Sequence, residues 1–234
     1  MMRPFFSLPR ALPALWLVLL APLVTLCCIP SSSSPHAQES TTMRSAPETG
    51  TQLAEPPPEG LAVATFAGGC FWCMEGPFES LPGVIHAIAG YTGGPERSPT
   101  YRQVAGGMTG HTEAVQITYD PAQVEYSALL DIFWRNMDPT DAGGQFADRG
   151  PQYRPAIFVH GPEQRAAAEA SKAALAASGR FSAPIVVPVE EARDFWIAEG
   201  YHQNYYRTNE GHYRAYRRGS GRAGFLERTW GEGP

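Results

Sequence analysis

The order of periodic segments in this chain predicts an α+β fold, a two-layer ferredoxin-like split β-α-β core with long functional loops. Three observations carry it. Short apolar runs at residues 61–66, 83–90, 113–119 and 154–160 have strand length and alternation; stretches at 70–79 and 125–137 have helical character; and they follow one another as strand, helix, strand, strand, helix, strand.

Taken in order, Leu61 to Phe66 is the first strand, and Ala67-Gly68-Gly69 is a flexible turn into a helical stretch of roughly ten residues beginning at Cys70. Gly83 to Gly90 alternates as a strand, and Glu113 to Tyr119 does so more clearly before Asp120-Pro121 ends it. Leu129, Leu130, Phe133, Trp134 and Met137 fall at amphipathic helical spacing. Arg154 to His160 is a short strand whose Pro155 favours an edge or strand-end position. Gly161 to Ser178 is alanine-rich and helical, closed by Gly179; Ala183 to Val189 is expected as a strand and Phe195 to Tyr206 as a helical piece. Polar loops at 91–112 and 137–153 stand outside this core, and loops of that length in a compact domain are usually functional.

At 234 residues the chain is long enough for one domain with a real core. Its beginning reads differently. Arg3 and Arg10 precede an almost wholly apolar run from Ala11 to Pro30, the pattern of a secretory signal, and Pro13, Pro22 and Pro30 interrupt it too often for a permanent span. Residues 1–37 are therefore expected to be a signal peptide or N-terminal membrane anchor. Cys27-Cys28 adds a lipid-anchored reading, and the predicted location is exported, periplasmic or attached to the cell envelope. Residues 38–60, rich in Ser, Thr and Pro, are expected to be a disordered linker; the catalytic domain is placed at 61–210 and a C-terminal tail at 211–234. The net charge of −5 and scattered arginines argue against a nucleic-acid partner.

Of the four cysteines, only Cys70 and Cys73 fall in the domain. Two thiols three apart suggest redox work or a metal rather than a disulfide scaffold. At a helix N-terminus the dipole and unpaired N–H groups favour thiolate, so Cys70 is expected to ionise below the usual ~8.5. Phe71 and Trp72 read either as core or, directly after a thiol that opens a helix, as part of a catalytic arrangement. The loops carry Tyr101, His111, Glu113, Asp148, Gln152 and Tyr153; Glu113 reads equally as a solvated strand-end charge.

Six stretches in order, Gly69-Cys70-Phe71-Trp72-Cys73-Met74-Glu75, Gly90 to Gly94, Tyr101 to Val104, Gly110 to Glu113, Gly144 to Arg154 and Tyr201 to Tyr206, resemble the A-type peptide methionine sulfoxide reductases over about Leu61 to Tyr206. The resemblance implies thiol-dependent reduction of the S epimer of methionine sulfoxide, free or in proteins, for repair of oxidative damage. It implies attack by Cys70 on the sulfoxide sulfur, an apolar wall of Phe71 and Trp72 for the substrate methyl, and a proton from Glu113. It also implies hydrogen bonds from Tyr101 and Tyr153 to the sulfoxide oxygen, acceptance by Asp148 from the substrate backbone or a water, and a sulfenic acid on Cys70. Many members carry a resolving cysteine near the C-terminus, and this chain has none after Cys73. Cys73 is the favoured resolver, with direct attack by an external thiol as the other route. A thioredoxin-like reductant is the expected partner of a monomer, and nothing calls for a flavin, nicotinamide or metal.

Two rivals remain. A thioredoxin-like thiol-disulfide oxidoreductase would use the Cys70–Cys73 pair on protein disulfides. A non-enzymatic zinc-binding module would use Cys70, Cys73, His111 and His202.

Overall fold

The computed structural model describes residues 51–231. The leader and most of the expected linker lie outside them. In chain order come β1 (Gln52–Leu53), β2 (Ala62–Ala67), a 3-10 turn (Phe71–Cys73), α1 (Glu75–Glu79), β3 (Val84–Thr92), α2 (Tyr101–Ala105), β4 (Thr112–Tyr119) and α3 (Tyr126–Trp134). A hairpin of β5 (Gly144–Gln145) and β6 (Asp148–Arg149) leads through a 3-10 turn (Pro151–Tyr153) to β7 (Ala156–Val159) and α4 (Pro162–Ala177). The chain closes with β8 (Val189–Glu191), β9 (Trp196–Ile197), a 3-10 turn (Gly200–His202), α5 (Tyr205–Thr208), α6 (Glu210–Gly219) and α7 (Arg222–Trp230).

Seven strands form one sheet in the order β1-β9-β3-β4-β2-β7-β8. Its middle, β3-β4-β2-β7, is the antiparallel four-strand order of a split β-α-β core, and only β8 joins in parallel. Alternation along the strands sorts the two faces. Phe66, Val115, Ile117, Ile157 and Val159 face the helices, where Phe78, Leu129, Leu130, Phe133 and Ala168 complete the core. Phe66 is stacked against Phe78, Tyr126 and Phe133, with ring centroids 5.4, 6.0 and 5.0 Å away. Glu113 is two residues before Val115 on β4, so the pleat turns it toward this apolar side rather than toward solvent.

Several expectations need correction. The helix expected from Cys70 is a three-residue 3-10 turn followed by a five-residue helix. Pro77 explains the break: without an N–H it cannot bond back to residue 73, and it is tolerated only in a first turn, so α1 starts at Glu75. The strand expected at 183–189 does not form before Val189, where β8 begins, because Pro184 and Pro188 remove ladder donors. The stretch 195–206 is not one helix. Trp196 and Ile197 pair with β1 and β3, and the Gln203 side chain bonds both the N–H and the carbonyl of Ala89 at 2.9 Å.

Residues 51–60, expected as part of the linker, belong to the folded unit. β1 pairs with β9, the Thr51 hydroxyl donates to the Pro99 carbonyl at 2.7 Å, and the Ser98 hydroxyl donates to the Thr51 carbonyl at 2.6 Å. The expected tail is α6 and α7, which fold back over the Cys70 turn. Their anchor is Arg222, 1% exposed, whose guanidinium bonds the Gly68 carbonyl at 2.9 Å and the Asn136 carbonyl, and lies 4.7 Å from the Phe146 ring. Among the described residues no helix is long and apolar enough to cross a membrane.

Phe66→Ala removes the ring around which three aromatics stack, and the expected cost is about 3–5 kcal/mol in urea unfolding. A cost under about 1 kcal/mol would show that this cluster does not hold the helices to the sheet.

Candidate active site

Gly69 places Cys70. Its φ of +83° is one that other residues adopt with strain, and a Cβ there would meet the Gln145 side chain at 2.5 Å and the Arg222 guanidinium at 2.9 Å. The chain then turns so that the Phe71 N–H donates to the Glu113 carboxyl at 3.1 Å. Cys70 is 6% exposed and Cys73 and Phe71 1%, while Trp72 remains half-buried.

The loop residues expected at the site converge on it. Tyr101 opens α2, where its N–H donates to Glu199 at 2.8 Å; the same carboxylate accepts from the Tyr91 hydroxyl at 2.9 Å. Tyr153 ends the 3-10 turn that the Thr112 hydroxyl holds beside β4 by donating to the Gln152 carbonyl at 3.0 Å. Asp148 comes from the β5–β6 hairpin, fixed by Gln145, which bonds the N–H and carbonyl of Asp138 at 2.7 and 2.8 Å. Cys70, Tyr101, Tyr153 and Asp148 are all close enough to Glu113 to interact with it electrostatically. Gln152 points elsewhere, to the Ala105 carbonyl at 3.1 Å.

Burial sets the proton chemistry. Glu113 is pushed up to about 8 by desolvation, with Asp148 and Cys73 adding to the rise and the Phe71 N–H opposing it. It is thus an acid at neutral pH. The Tyr101 phenol is pushed up to about 12, first by burial and then by Glu113, and Tyr153 rises for the same reasons.

The thiols reverse the expectation for Cys70. Burial, then the hydrogen bond with Cys73 and the nearby Glu113, push the Cys70 thiol well up. Desolvation outweighs any dipole of so short a turn. Cys73 is lowered to about 7, chiefly by its hydrogen bond with Cys70 and, against burial, by the Arg222 and Arg217 charges. The first proton to leave the pair therefore comes off Cys73.

Four residues were missed as site components. His202, weighed only as a zinc ligand, is buried with its ring 4.9 Å from Phe71 and 4.4 Å from Tyr101, and its Nδ1 accepts from the Trp72 indole at 3.1 Å. Burial lowers it to about 4, keeping it neutral. Tyr205 stacks on Trp72 at 3.9 Å. Tyr216, from α6, sets its ring edge-on to Trp72 at 5.8 Å and donates to Asp148 Oδ2. Arg222 is the fourth. The signal available was the Tyr213-Tyr216 pair, three apart in an otherwise charged stretch, which marks one half-buried helical face.

The zinc reading fails on its donors. His111 Nδ1 accepts from the Gly94 N–H at 3.3 Å and Nε2 bonds the Glu96 carbonyl at 2.7 Å, so both nitrogens serve their loop. No group of three potential metal ligands occurs among the described residues.

A closed site pairing two thiols with a protonated carboxyl and phenols defines a cysteine-based oxidoreductase acting on an oxygen that must be protonated to leave. Comparison specifies it. The model of the family described as peptide methionine sulfoxide reductase matches residues 62–233. The chain is 55% identical over 172 residues to the peptide methionine sulfoxide reductase MsrA of Listeria monocytogenes, covering 74% of this chain and 97% of that one. Against the protein of the same name from Bacillus subtilis it is 56% identical over 173 residues, covering 74% and 98%. Among solved structures it is similar to reduced Mxr1 from Saccharomyces cerevisiae, with a TM-score of 0.62, 28% identity and coverage of 68% and 91%. It also resembles methionine sulfoxide reductase A of Corynebacterium diphtheriae, with a TM-score of 0.55, 35% identity and coverage of 65% and 76%. The chain belongs to the peptide methionine sulfoxide reductase family. It is an oxidoreductase that reduces the S epimer of methionine sulfoxide to methionine in protein repair, and the thioredoxin-like alternative is not favoured.

Glu113→Gln tests the acid twice. Single-turnover methionine formation is expected to fall at least ~100-fold, since the amide cannot deliver the proton, and the wild-type rate to decline as pH rises through about 8. Because the folded protein binds this proton more tightly than the unfolded chain, wild-type stability is unaffected below about 4.5 and falls from there to about 8. The variant escapes that loss, which is on the order of 5 kcal/mol. Equal stability of the two proteins at alkaline pH would mean the carboxyl is not held protonated.

Proposed function

We propose that Cys70 is the nucleophile and Glu113 the acid of this reduction. The observation that carries the reading is the Phe71 N–H to Glu113 bond, which sets a protonated carboxyl against the turn that bears the thiol. Phe71 and Trp72 receive the substrate's methyl group; support comes from the clamping of Trp72 by His202 and Tyr205 in one orientation. Tyr101 and Tyr153 donate to the sulfoxide oxygen, and neither phenol ionises at neutral pH. Asp148 accepts from the substrate backbone. Cys70 attacks the sulfur while Glu113 protonates the oxygen; methionine leaves, and Cys70 remains as sulfenic acid.

Cys73 then resolves it. A thiolate one turn away, favoured by Arg222 and Arg217, attacks the Cys70 sulfur and displaces the hydroxyl, which leaves as water once protonated. The product is a Cys70–Cys73 disulfide, reduced by two electrons from a thioredoxin-like thiol. Cys73 starts as a partner of Cys70, with its N–H on the Cys70 carbonyl at 3.0 Å.

The protein works as an exported monomer in the periplasm or cell envelope, its signal-like leader cleaved or kept as a membrane or lipid tether. Its substrates there are proteins with oxidised surface methionines. The charge and apolar pattern of residues 1–30 support this.

One equivalent of a peptide S-sulfoxide, added without reductant, should leave wild-type protein two protons lighter by mass spectrometry. Cys73→Ser should release the same methionine but retain a sulfenic acid, and Cys70→Ser should release none. Wild-type protein that holds a lasting sulfenic acid would remove Cys73 as resolver.

A further inference from the structure

Glu113 holds a proton at neutral pH, so it cannot also remove one from Cys70. Yet the Cys70 thiol is buried and must lose its proton to attack. The Cys70 thiol interacts by side-chain hydrogen bonding with Cys73 and with the hydroxyl of Tyr216. Cys73 is a poor candidate, because taking the proton would leave it a thiol when the following step needs it as a thiolate.

Tyr216 is placed differently. Its hydroxyl meets the Cys70 sulfur on one side and donates to Asp148 Oδ2 on the other. The ring is fixed edge-on against Trp72 at 5.8 Å, and α6 is tied to the Cys70 turn through α7, where the Arg222 guanidinium bonds the Gly68 carbonyl at 2.9 Å. A carboxylate accepts at both oxygens, so the Oδ2 contact is compatible with a substrate N–H at Oδ1.

We propose that Tyr216 is a further catalytic residue, whose hydroxyl relays the Cys70 proton to Asp148 as the sulfur attacks. The inference rests on the assignment of Cys70 as nucleophile. The Cys70 S–H bond breaks and its proton joins the phenol oxygen; the phenol's own proton passes to the Asp148 carboxylate; the freed electron pair forms the bond to the sulfoxide sulfur. The phenol ends neutral, which suits a hydroxyl that burial keeps from ionising. The proton gained by Asp148 balances the one Glu113 gives to the sulfoxide oxygen, so the site's charge is unchanged through attack. Overall, thiol plus sulfoxide gives sulfenic acid plus thioether, with no net proton change.

The groups facing Cys70 and Tyr216 are Cys73 from the same turn, Glu113 from β4, Tyr101 from α2, Asp148 from β6 and Tyr153 from the turn after it. Arg217 and Arg222 act on Cys73. The test therefore uses the full chain carrying Cys73→Ser, which removes the competing thiol and leaves the rest in place. Tyr216→Phe keeps the ring against Trp72 and removes only the hydroxyl. In this background, single-turnover methionine formation at saturating S-sulfoxide is expected to fall on the order of 100-fold at pH below about 8, where Glu113 keeps its proton. Asp148→Asn should lower the same rate constant, and the two changes together should cost no more than the larger alone. Iodoacetamide labelling, read at the Cys70 peptide by mass spectrometry, needs no sulfoxide. Its pH midpoint should move up by about one unit with Tyr216→Phe, the loss of a hydrogen bond to the thiolate. A single-turnover rate within about twofold of the parent, additive losses in the double variant, or an unmoved labelling midpoint would each overturn the relay. Normal labelling shifts with no methionine formed by any variant or by wild type would instead point to the assigned activity.

Discussion

The hydrogen bond from the Phe71 N–H to Glu113, 3.1 Å long, ties the cysteine turn to the central strand and fixes a carboxyl where water is excluded. Both partners are buried, and the pleat of β4 aims Glu113 at the same side as Val115 and Ile117. A carboxyl in such a place holds its proton, and the thiol beside it is equally desolvated. The remainder of the site answers those two consequences: phenols that donate without ionising, a neutral histidine that orients the indole wall, and cations set behind the second thiol.

Those cations come from the end of the chain. Arg222 is a buried charge bonded to backbone carbonyls and resting on the Phe146 face, an arrangement that solvates the guanidinium without an acidic partner in its hydrogen bonds. Cys73, lowered chiefly by its hydrogen bond with Cys70, is lowered further by this charge and by that of Arg217. One pair of neighbouring thiols is thereby divided into one that holds its proton and one that ionises easily, the division that the proposed roles of attacker and resolver call for, as one pair of carboxylates can be divided elsewhere into acid and base. Tyr216 lies on the same closing segment, so the two C-terminal helices bring both the electrostatics and a hydroxyl to the reacting sulfur.

Much of this was legible in the chain. The alternation at 113–119 and the spacing of Leu129, Leu130, Phe133 and Trp134 located β4 and α3, and the ordered motifs brought Cys70, Tyr101, Glu113, Asp148 and Tyr153 to one place. What escaped was set by tertiary contact. The length of the cysteine helix turned on Pro77, and residues 195–206 follow the pairing of β9 and the grip of Gln203 on Ala89. Residues 51–60 were read by composition, which does not show that Thr51 finds partners at Pro99 and Ser98. A helix N-terminus suggested a low Cys70 pKa, and burial, invisible in a sequence, reversed it. Tyr216 and Arg222 lie in the segment read as a C-terminal tail, although aromatic residues three apart within it mark a half-buried face.

The chemistry of the site depends on the protonation state of Glu113. Infrared difference spectroscopy of the reduced protein, with Glu113→Gln as the reference that isolates this one carboxyl, reads it directly. A protonated carboxyl band at neutral pH, giving way to carboxylate as pH rises through about 8, is the predicted result. A carboxylate band persisting down to the ordinary carboxyl range, near ~4.3, would contradict it and remove the acid from the site.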